Sequence, residues 1–240
     1  TIELPVAELG SKQRQLALEV QLRDDATLEN YLPPPGVEPL VSALQGQLAP
    51  EGEPIIFLHG PSGSGKSHLL QAACHLAGGT ALYLPLAELA EYPPQEVLQG
   101  VETLGLVCLD DVGSVLGRDD WEMALFDLCN RARPWGCRLL LSAEGAPRTL
   151  AVKLPDLASR LGWGIVYQLS RVDDDSRAAI LRFRAARRGL TLSADVAAYI
   201  VHRAPRSTDR LLEVLEELDR VSLAEQRALS IPFVKQTLGW

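Results

Sequence analysis

Gly-Pro-Ser-Gly-Ser-Gly-Lys-Ser, at residues 60–67, is the stretch that decides the fold of this chain. It fits the pattern G-x-x-x-x-G-K-[ST] at every fixed position, and this pattern is typical of loops that bind nucleotide phosphates. The apolar run Ile-Ile-Phe-Leu at 55–58 precedes it and a helical pattern beginning at Ser67 follows it. This is the order of strand, loop and helix that such a loop requires. A glycine-rich turn that binds nothing is the alternative.

Each part of this loop predicts a contact with phosphate. Glycines allow consecutive backbone N–H groups to point at phosphate oxygens, and the N-terminus of the following helix attracts negative charge. Lys66 is expected to reach the outer phosphates, and Ser67 is expected to hold Mg²⁺. The predicted nucleotide-binding residues in and beside the loop are Gly60, Gly63, Ser64, Gly65, Lys66, Ser67 and His68.

Composition and charge limit the possible classes of protein. The chain has 240 residues, of which 47% are apolar, and this is enough for one large domain with a small second one. A net charge of −8 argues against a broad basic surface that grips DNA, so we expect any role on DNA to act through a partner. We also expect a cytoplasmic protein without a membrane span, because we recognise neither a signal peptide nor a long apolar segment. Metal-binding spacing is missing among the cysteines, which predicts buried free thiols at Cys74, Cys108, Cys129 and Cys137.

Alternating β-prone and helical segments predict a parallel sheet flanked by helices. Strands are predicted at 55–58, 80–84, 106–109 and 137–141, and helices at 39–48, 67–76 and 119–131, with a short helix on either side of Pro93-Pro94. This order favours right-handed crossovers and places ligands at the carboxyl ends of the strands. Beyond Ser170 the pattern changes to three helices at about 173–188, 193–203 and 208–225. We therefore predict an α/β base domain at 37–170 and a small helical domain at 171–240.

Residues 1–36 are predicted to form a mostly extended arm, because their apolar residues show no sustained periodicity and the segment ends in Pro-Pro-Pro-Gly. Within the arm, Leu16, Leu18 and Val20 occupy alternate positions after Gln15. Alternate positions project to one side of an extended segment. Two interpretations stay open: the segment docks in a groove of another protein, or it forms an edge strand of this chain's own sheet.

Carboxylates follow two of the predicted strands. Asp110 and Asp111 end the apolar run at 106–109, and Glu144 comes shortly after the strand at 137–141. Paired carboxylates at the end of a buried strand require a cation nearby, and Mg²⁺ on a nucleotide would supply one. We predict that Asp110 completes the Mg²⁺ shell and that Asp111 orients a water for attack on the γ-phosphate, with Glu144 sensing the γ-phosphate or that water. An acidic turn and a solvated acid are the alternatives.

Longer motifs resemble the AAA+ ATPases of the DnaA/Hda family. The most specific are Leu-Pro-Asp-Leu-Ala-Ser-Arg-Leu at 154–161 with Trp163-Gly164, Leu-Asp-Arg-Val-Ser at 218–222, and Ala-Glu-Gln-Arg-Ala-Leu-Ser-Ile-Pro-Phe at 224–233. The resemblance extends nearly from end to end of the chain. It implies an AAA+ P-loop NTPase with a helical lid, and it implies that ADP or ATP binds with Mg²⁺ between base and lid.

The resemblance also gives roles to residues that are ambiguous alone. It places Leu28 and Tyr31 near the nucleotide and makes Arg160 an arginine finger, which is presented to the ATP of a neighbouring DnaA molecule. A lone arginine would more often form a surface ion pair. The segment Gln15, Leu16, Leu18 and Val20 corresponds to the family's motif for binding the sliding clamp of DNA polymerase III, with Gln15 as the polar anchor.

One departure from the family pattern concerns the lid. A gapless alignment places Asp209 at the sensor position, where the family has arginine, and Arg210 follows one residue later. Either Arg210 takes the nucleotide-contacting role, or Arg206 takes it, or the sensor is lost.

These features favour a negative regulator of replication initiation that is bound to ADP, tethered to a clamp on DNA, and stimulates ATP hydrolysis by DnaA. A homodimer that hides the arm is compatible with this hypothesis. The chain ends shortly after the predicted lid, so we expect no further DNA-binding domain of the kind an initiator needs. The alternatives are a self-contained AAA+ ATPase such as a helicase loader, a small-molecule P-loop kinase, and an adaptor that works without nucleotide.

Overall fold

The structure, a computed structural model, describes residues 22–240 except the side chain of Asp209. The segment predicted to bind a clamp, at 15–20, lies outside the described residues. The chain divides into two compact units. Unit 1 consists of residues up to Leu28, Val37–Gly60 and Lys66–Leu169, and unit 2 consists of Glu29–Gly36, Pro61–Gly65 and Ser170–Trp240.

At the centre of unit 1, the described residues form a parallel sheet of five strands in the order β2-β3-β4-β1-β5. The strands are β1 (Ile55–His59), β2 (Ala81–Pro85), β3 (Leu106–Asp110), β4 (Arg138–Ala143) and β5 (Ile165–Gln168). Phe57 pairs with Leu141, and Cys108 pairs with Leu140. The carboxyl ends of β1, β3 and β4 therefore meet at one edge of the sheet. The prediction of a parallel sheet is confirmed.

Strand β5 is the element of this sheet that the sequence did not predict. It has four residues, of which none is fully buried, and it pairs with β1 alone among the described strands. An edge strand of this kind lacks the continuous apolar run that identifies the central strands of a parallel sheet.

In the described part of unit 1 the α-helices are α1 (Glu38–Gly46), α2 (Lys66–Ala77), α3 (Leu86–Leu89), α4 (Pro94–Val97), α5 (Asp119–Trp135) and α6 (Pro155–Leu161). Helix α5 buries the face predicted from its period, with Trp121, Ala124, Leu125 and Leu128 in the core beside the central strands. Apolar contacts of this kind hold the helices on the sheet. All four cysteines are buried free thiols, as the sequence predicts.

Unit 2 is helical from Asp174 onward. Its helices are α7 (Asp174–Arg187), α8 (Ala194–Arg203), α9 (Thr208–Glu225) and α10 (Ile231–Leu238). Each begins after a side chain that accepts a hydrogen bond from a backbone N–H in the first turn, and these caps are Asp173, Ser193, Ser207 and Ser230. The sequence predicted three of these helices. The fourth, α10, was missed because it has eight residues and carries a proline in its first turn.

Between residues 22 and 240, no helix combines the length and apolar character needed to cross a membrane. The same residues contain no cluster of histidine, cysteine and acidic side chains that could hold a metal ion by itself.

Candidate functional site

Three strands bring polar side chains together at the carboxyl edge of the sheet in unit 1. Asp110, the last residue of β3, is buried and accepts hydrogen bonds from the hydroxyls of Tyr83 (2.6 Å) and Ser142. The Ser142 hydroxyl in turn accepts a hydrogen bond from the backbone N–H of Asp111 at 2.8 Å. The Asp110 carboxylate is thus held by a hydroxyl from β2 on one oxygen and a hydroxyl from β4 on the other, which fixes its orientation.

Lys66 stands at the start of α2 and faces these acids. Its side chain is buried, and its ammonium group donates a hydrogen bond to the backbone carbonyl of Gly60 at 2.7 Å. Burial lowers the pKa of Lys66, and the negative charges of Asp110, Glu144 and Asp111 oppose this shift. Lys66, Asp110, Asp111 and Glu144 therefore form one electrostatic group, which we call the strand-end cluster.

Asp111 has an unusual backbone conformation in this cluster. Its φ of 55° lies in the left-handed region, which aspartate tolerates better than most residues other than glycine. Burial raises the pKa of its carboxyl group, and the charges of Asp110 and Glu144 add to the effect, while Lys66 opposes it. Sparsely populated conformations of this kind occur often at functional sites.

The middle of the phosphate loop belongs to unit 2. Gly63 and Gly65 have φ of 76° and 94°, which permit the turns of the loop at no steric cost. A Cβ at Gly65 would lie 3.2 Å from Cε2 of Tyr31, and Thr208 Oγ1 donates a hydrogen bond to the Gly63 carbonyl at 3.2 Å. Burial raises the pKa of Tyr31 to about 12. Of these residues the sequence missed Thr208, because a threonine at a helix start carries no distinctive signal.

The Ser64 hydroxyl adds an observation that fits a phosphate ligand. Its oxygen is buried and has no hydrogen-bond partner among the described residues. Buried polar atoms in proteins are nearly always hydrogen-bonded, so an oxygen without a partner marks a place for another group. A hydroxyl that can donate a hydrogen bond suits a phosphate oxygen.

His68 contacts the chain that leads into this region. Its Nε2 atom lies 2.8 Å from the Thr27 carbonyl, and one helical turn later Gln71 accepts a hydrogen bond from the backbone N–H of Arg23. His75 Nε2 lies 2.9 Å from the Arg23 carbonyl. Helix α2 therefore holds residues 23–27 along one face, and this segment continues into a 3-10 turn that begins at Leu28.

Four predicted residues lie at exposed positions, and one of them is Glu144, which follows β4. Ser67 is exposed in the first turn of α2, and Arg206 is exposed before α9. Arg210 forms an exposed ion pair with Glu213 at 2.7 Å in the first turn of α9. An exposed pair of this kind contributes little to stability, so it leaves the arginine available for another partner.

Arg160 lies near the end of α6 and belongs to a second group of residues. Its Nε atom donates a hydrogen bond to Oδ1 of Asn130 at 2.9 Å, and its Cζ atom lies 3.7 Å from the centre of the Trp163 ring. We call Asn130, Arg160 and Trp163 the arginine platform. None of the hydrogen bonds and ion pairs of the described residues joins this platform to the strand-end cluster.

A buried carboxylate fixes the start of the helix that carries Arg160. Glu122 of α5 accepts hydrogen bonds from the backbone N–H groups of Gly117 (2.7 Å), Lys153 (3.0 Å) and Leu154 (2.7 Å). Leu154 is the residue before α6. Burial alone would raise the pKa of Glu122, but the three backbone donors bring it below its ordinary value.

Comparisons with known proteins agree with this fold. Residues 174–238 match the family model described as Hda, lid domain, which covers helices α7 to α10. A Haemophilus influenzae protein that carries the description uncharacterized protein is 42% identical over 230 residues, or 94% of this chain and 99% of that protein.

Solved structures share the architecture at lower identity. Domain III of the replication initiation protein DnaA from Thermotoga maritima superposes with a TM-score of 0.74 at 21% identity, over 92% of this chain and 98% of that one. AMPPCP-bound DnaA from Aquifex aeolicus superposes with a TM-score of 0.68 at 23% identity, over 85% of this chain and 67% of that one. The Holliday junction branch migration motor RuvB from T. maritima superposes with a TM-score of 0.66 at 16% identity, over 91% of this chain and 72% of that one. These likenesses establish the AAA+ fold.

Proposed function

The chain belongs to the DnaA-related family of AAA+ proteins that includes Hda, and from this premise we propose that it binds ADP or ATP with Mg²⁺ and stimulates ATP hydrolysis by DnaA. In this proposal the chain is a negative regulator of replication initiation. It holds its own nucleotide as a structural ligand and supplies Arg160 to the ATP of its partner.

The strand-end cluster and the phosphate loop would hold the nucleotide. Lys66 would donate to the outer phosphates, and the buried Ser64 hydroxyl and the backbone N–H groups of the loop would donate to the others. Ser67 and Asp110 would hold Mg²⁺, which when bound neutralises phosphate charge. The orientation of the Asp110 carboxylate is already fixed by hydrogen bonds from Tyr83 and Ser142.

Asp111 and Glu144 would contribute little hydrolysis of the chain's own nucleotide. A carboxyl group whose pKa is raised is a better proton acceptor, but aspartate is shorter than the glutamate usual for water activation in AAA+ enzymes. Slow turnover of the bound nucleotide suits a protein whose nucleotide stabilises its fold. Arg206 and Arg210 are the candidates for a lid contact.

The observation that carries the proposal is the way in which Arg160 is held. Its guanidinium is fixed at one nitrogen and on one face, in a half-exposed position, and it contacts none of the acids of the strand-end cluster. An arginine placed to meet a neighbour's γ-phosphoryl group stabilises the charge that develops there, and in related systems this accelerates hydrolysis by about 10³ to 10⁵.

Release of γ-phosphate from ATP-loaded DnaA tests this proposal. DnaA is incubated with the ADP-bound protein, DNA-loaded clamp and DNA, and hydrolysis is followed over time. The proposal predicts stimulation that depends on the protein and is increased by the clamp. Absence of stimulation would refute it, and rapid turnover of ATP by the chain without DnaA would favour a self-contained ATPase such as a helicase loader.

The clamp tether rests on residues outside the described part of the chain and is tested separately. Gln15→Ala and Leu18→Ala are expected to weaken binding to the DNA polymerase III clamp by at least tenfold, because each removes an anchor of a short extended motif. Glu19→Ala, between the anchors, is the matched control. Equal clamp affinity of all variants would exclude the tether, and sedimentation at several concentrations would test for a homodimer.

A further inference from the structure

We propose that Trp163 and Asn130 are positioning residues for Arg160, and that they present the paired Nη groups of its guanidinium outward to an anionic ligand on another molecule. The inference rests on the proposed function and adds a device that sets how well Arg160 performs it. The guanidinium is the side chain best suited to two parallel hydrogen bonds with a phosphate or carboxylate, provided that its orientation is fixed.

The hydrogen bonds of Arg160 show which part of the group is occupied. In the described part of the chain, its side chain donates through Nε alone, to Asn130 at 2.9 Å. Neither Nη1 nor Nη2 donates to a described residue, and no carboxylate within this part forms an ion pair with it. The side of the guanidinium that can form two bonds to one phosphate is therefore left for a partner.

The face of the guanidinium is held as well. Its Cζ atom lies 3.7 Å from the centre of the Trp163 ring and 5.7 Å from the centre of the Phe126 ring. Stacking on an aromatic face stabilises an arginine cation without using its N–H groups. Asn130 and Trp163 thus restrict the side chain in two directions and leave its donors available.

The backbone explains why Trp163 can act as a firm support. The Arg160 carbonyl, at the end of α6, accepts hydrogen bonds from the N–H groups of Gly162 and Trp163, and this turn folds Trp163 back toward the arginine. The next residue, Gly164, lies so close to β1 that a Cβ would be 1.9 Å from the Ile55 carbonyl oxygen. The ring is therefore carried by a segment that is anchored on the sheet.

Part of Trp163 is accessible to a partner. The residue is 52% exposed. The exposed remainder lies beside the arginine, where a docking partner would cover it.

Variants at Trp163 and Asn130 test the inference in the assay of DnaA hydrolysis. Trp163→Leu keeps an apolar side chain but removes the aromatic face, and we expect the maximal stimulated rate to fall about three- to tenfold. Trp163→Phe should stay within about twofold of wild type, because it keeps a face for the guanidinium. Asn130→Ala should lower the rate about two- to fivefold. Trp135→Leu, at an exposed tryptophan without a described contact to an arginine, is the matched control.

A double-mutant cycle separates positioning from structural damage. In an Arg160→Ala background, Trp163→Leu should have no further effect on the maximal rate, and ADP affinity should stay unchanged in every variant. Equal rates for wild type and Trp163→Leu, or a further loss in the Arg160→Ala background, would overturn the inference.

The Nε–H signal of Arg160 in a ¹H–¹⁵N spectrum gives a measurement that needs no DnaA. The Trp163 ring should shift this signal, and the shift should be lost in Trp163→Leu and kept in Trp135→Leu. A signal unaffected by Trp163→Leu would contradict the stacking. If wild-type protein gives no stimulation while the shift is present, the proposed function fails and the geometry of the platform stands.

Discussion

The strand-end cluster and the arginine platform are both built on unit 1, but they are held in different ways. In the cluster, Lys66 and Asp110 are buried and their partners are hydroxyls and a backbone carbonyl. In the platform, Arg160 is half-exposed and rests on the face of Trp163. Buried charge requires a compensating ligand, whereas an exposed and oriented charge can act on something outside. The difference fits the proposal that one region retains a ligand and the other presents a group.

The largest expected effect comes from removing the buried cation of the cluster. Lys66→Ala should lower the affinity for ADP about 100-fold or more, because it removes the buried cation that is proposed to form a charge-assisted hydrogen bond with phosphate. Isothermal titration calorimetry measures the change. Lys153→Ala removes an exposed lysine of the same unit, whose partner is Asp119, and should leave ADP affinity unchanged. Equal losses in both variants would contradict the distinction between the two regions.

A smaller effect is expected at the support of the platform. Glu122→Gln replaces a carboxylate that accepts three backbone hydrogen bonds by an amide with one acceptor, and it should reduce the free energy of unfolding by about 2–3 kcal/mol. Chemical denaturation measures this. Asp119→Asn, at an exposed acid of the same helix, should change it by less than about 0.5 kcal/mol.

The stabilisation from Glu122 should depend on pH. Since the pKa of Glu122 is lowered in the folded protein, its contribution is present above the ordinary glutamate pKa and is lost as pH falls through the lowered value. The difference between wild type and Glu122→Gln should therefore shrink in acid. A difference that is the same at pH 7 and in strong acid would contradict the role of its charge.

The smallest effect is expected at Asp111. Its pKa is raised in the folded protein, so its charged form opposes folding in full above the raised value, and this penalty declines as pH falls through the raised value and is gone below the ordinary aspartate pKa. Asp111→Asn keeps a residue that tolerates the left-handed conformation and should raise the thermal midpoint by about 1–3 °C at pH 7. At pH 3 the gain should vanish, which calorimetry at both pH values would show. A lower midpoint at pH 7 would contradict the electrostatic account.

The sequence predicted the regions with strong local patterns. The central strands were found because they are continuously apolar, and Lys66, Asp110 and Asp111 were placed together because parallel strands end at one edge. The period of α5 identified its buried face. These features follow from local composition and from the rules of βαβ connection.

Other features depend on contacts between distant segments and could not be read from local patterns. Tyr83 and Ser142 lie on separate strands and meet only at Asp110. Strand β5 and helix α10 are short and form against the rest of their units. Trp163 was recognised as part of a family motif, but its stacking on Arg160 depends on the turn at the end of α6 and on the close approach of Gly164 to β1.

The central claim is that this chain holds one nucleotide and acts on another. Its most direct test compares wild type with Arg160→Ala in two measurements, namely ADP affinity and γ-phosphate release from ATP-loaded DnaA in the presence of DNA-loaded clamp. We predict that Arg160→Ala keeps the ADP affinity of wild type and loses nearly all stimulation, by a factor of about 10³. Full stimulation by Arg160→Ala, or a loss of ADP affinity that accompanies the loss of stimulation, would contradict the account.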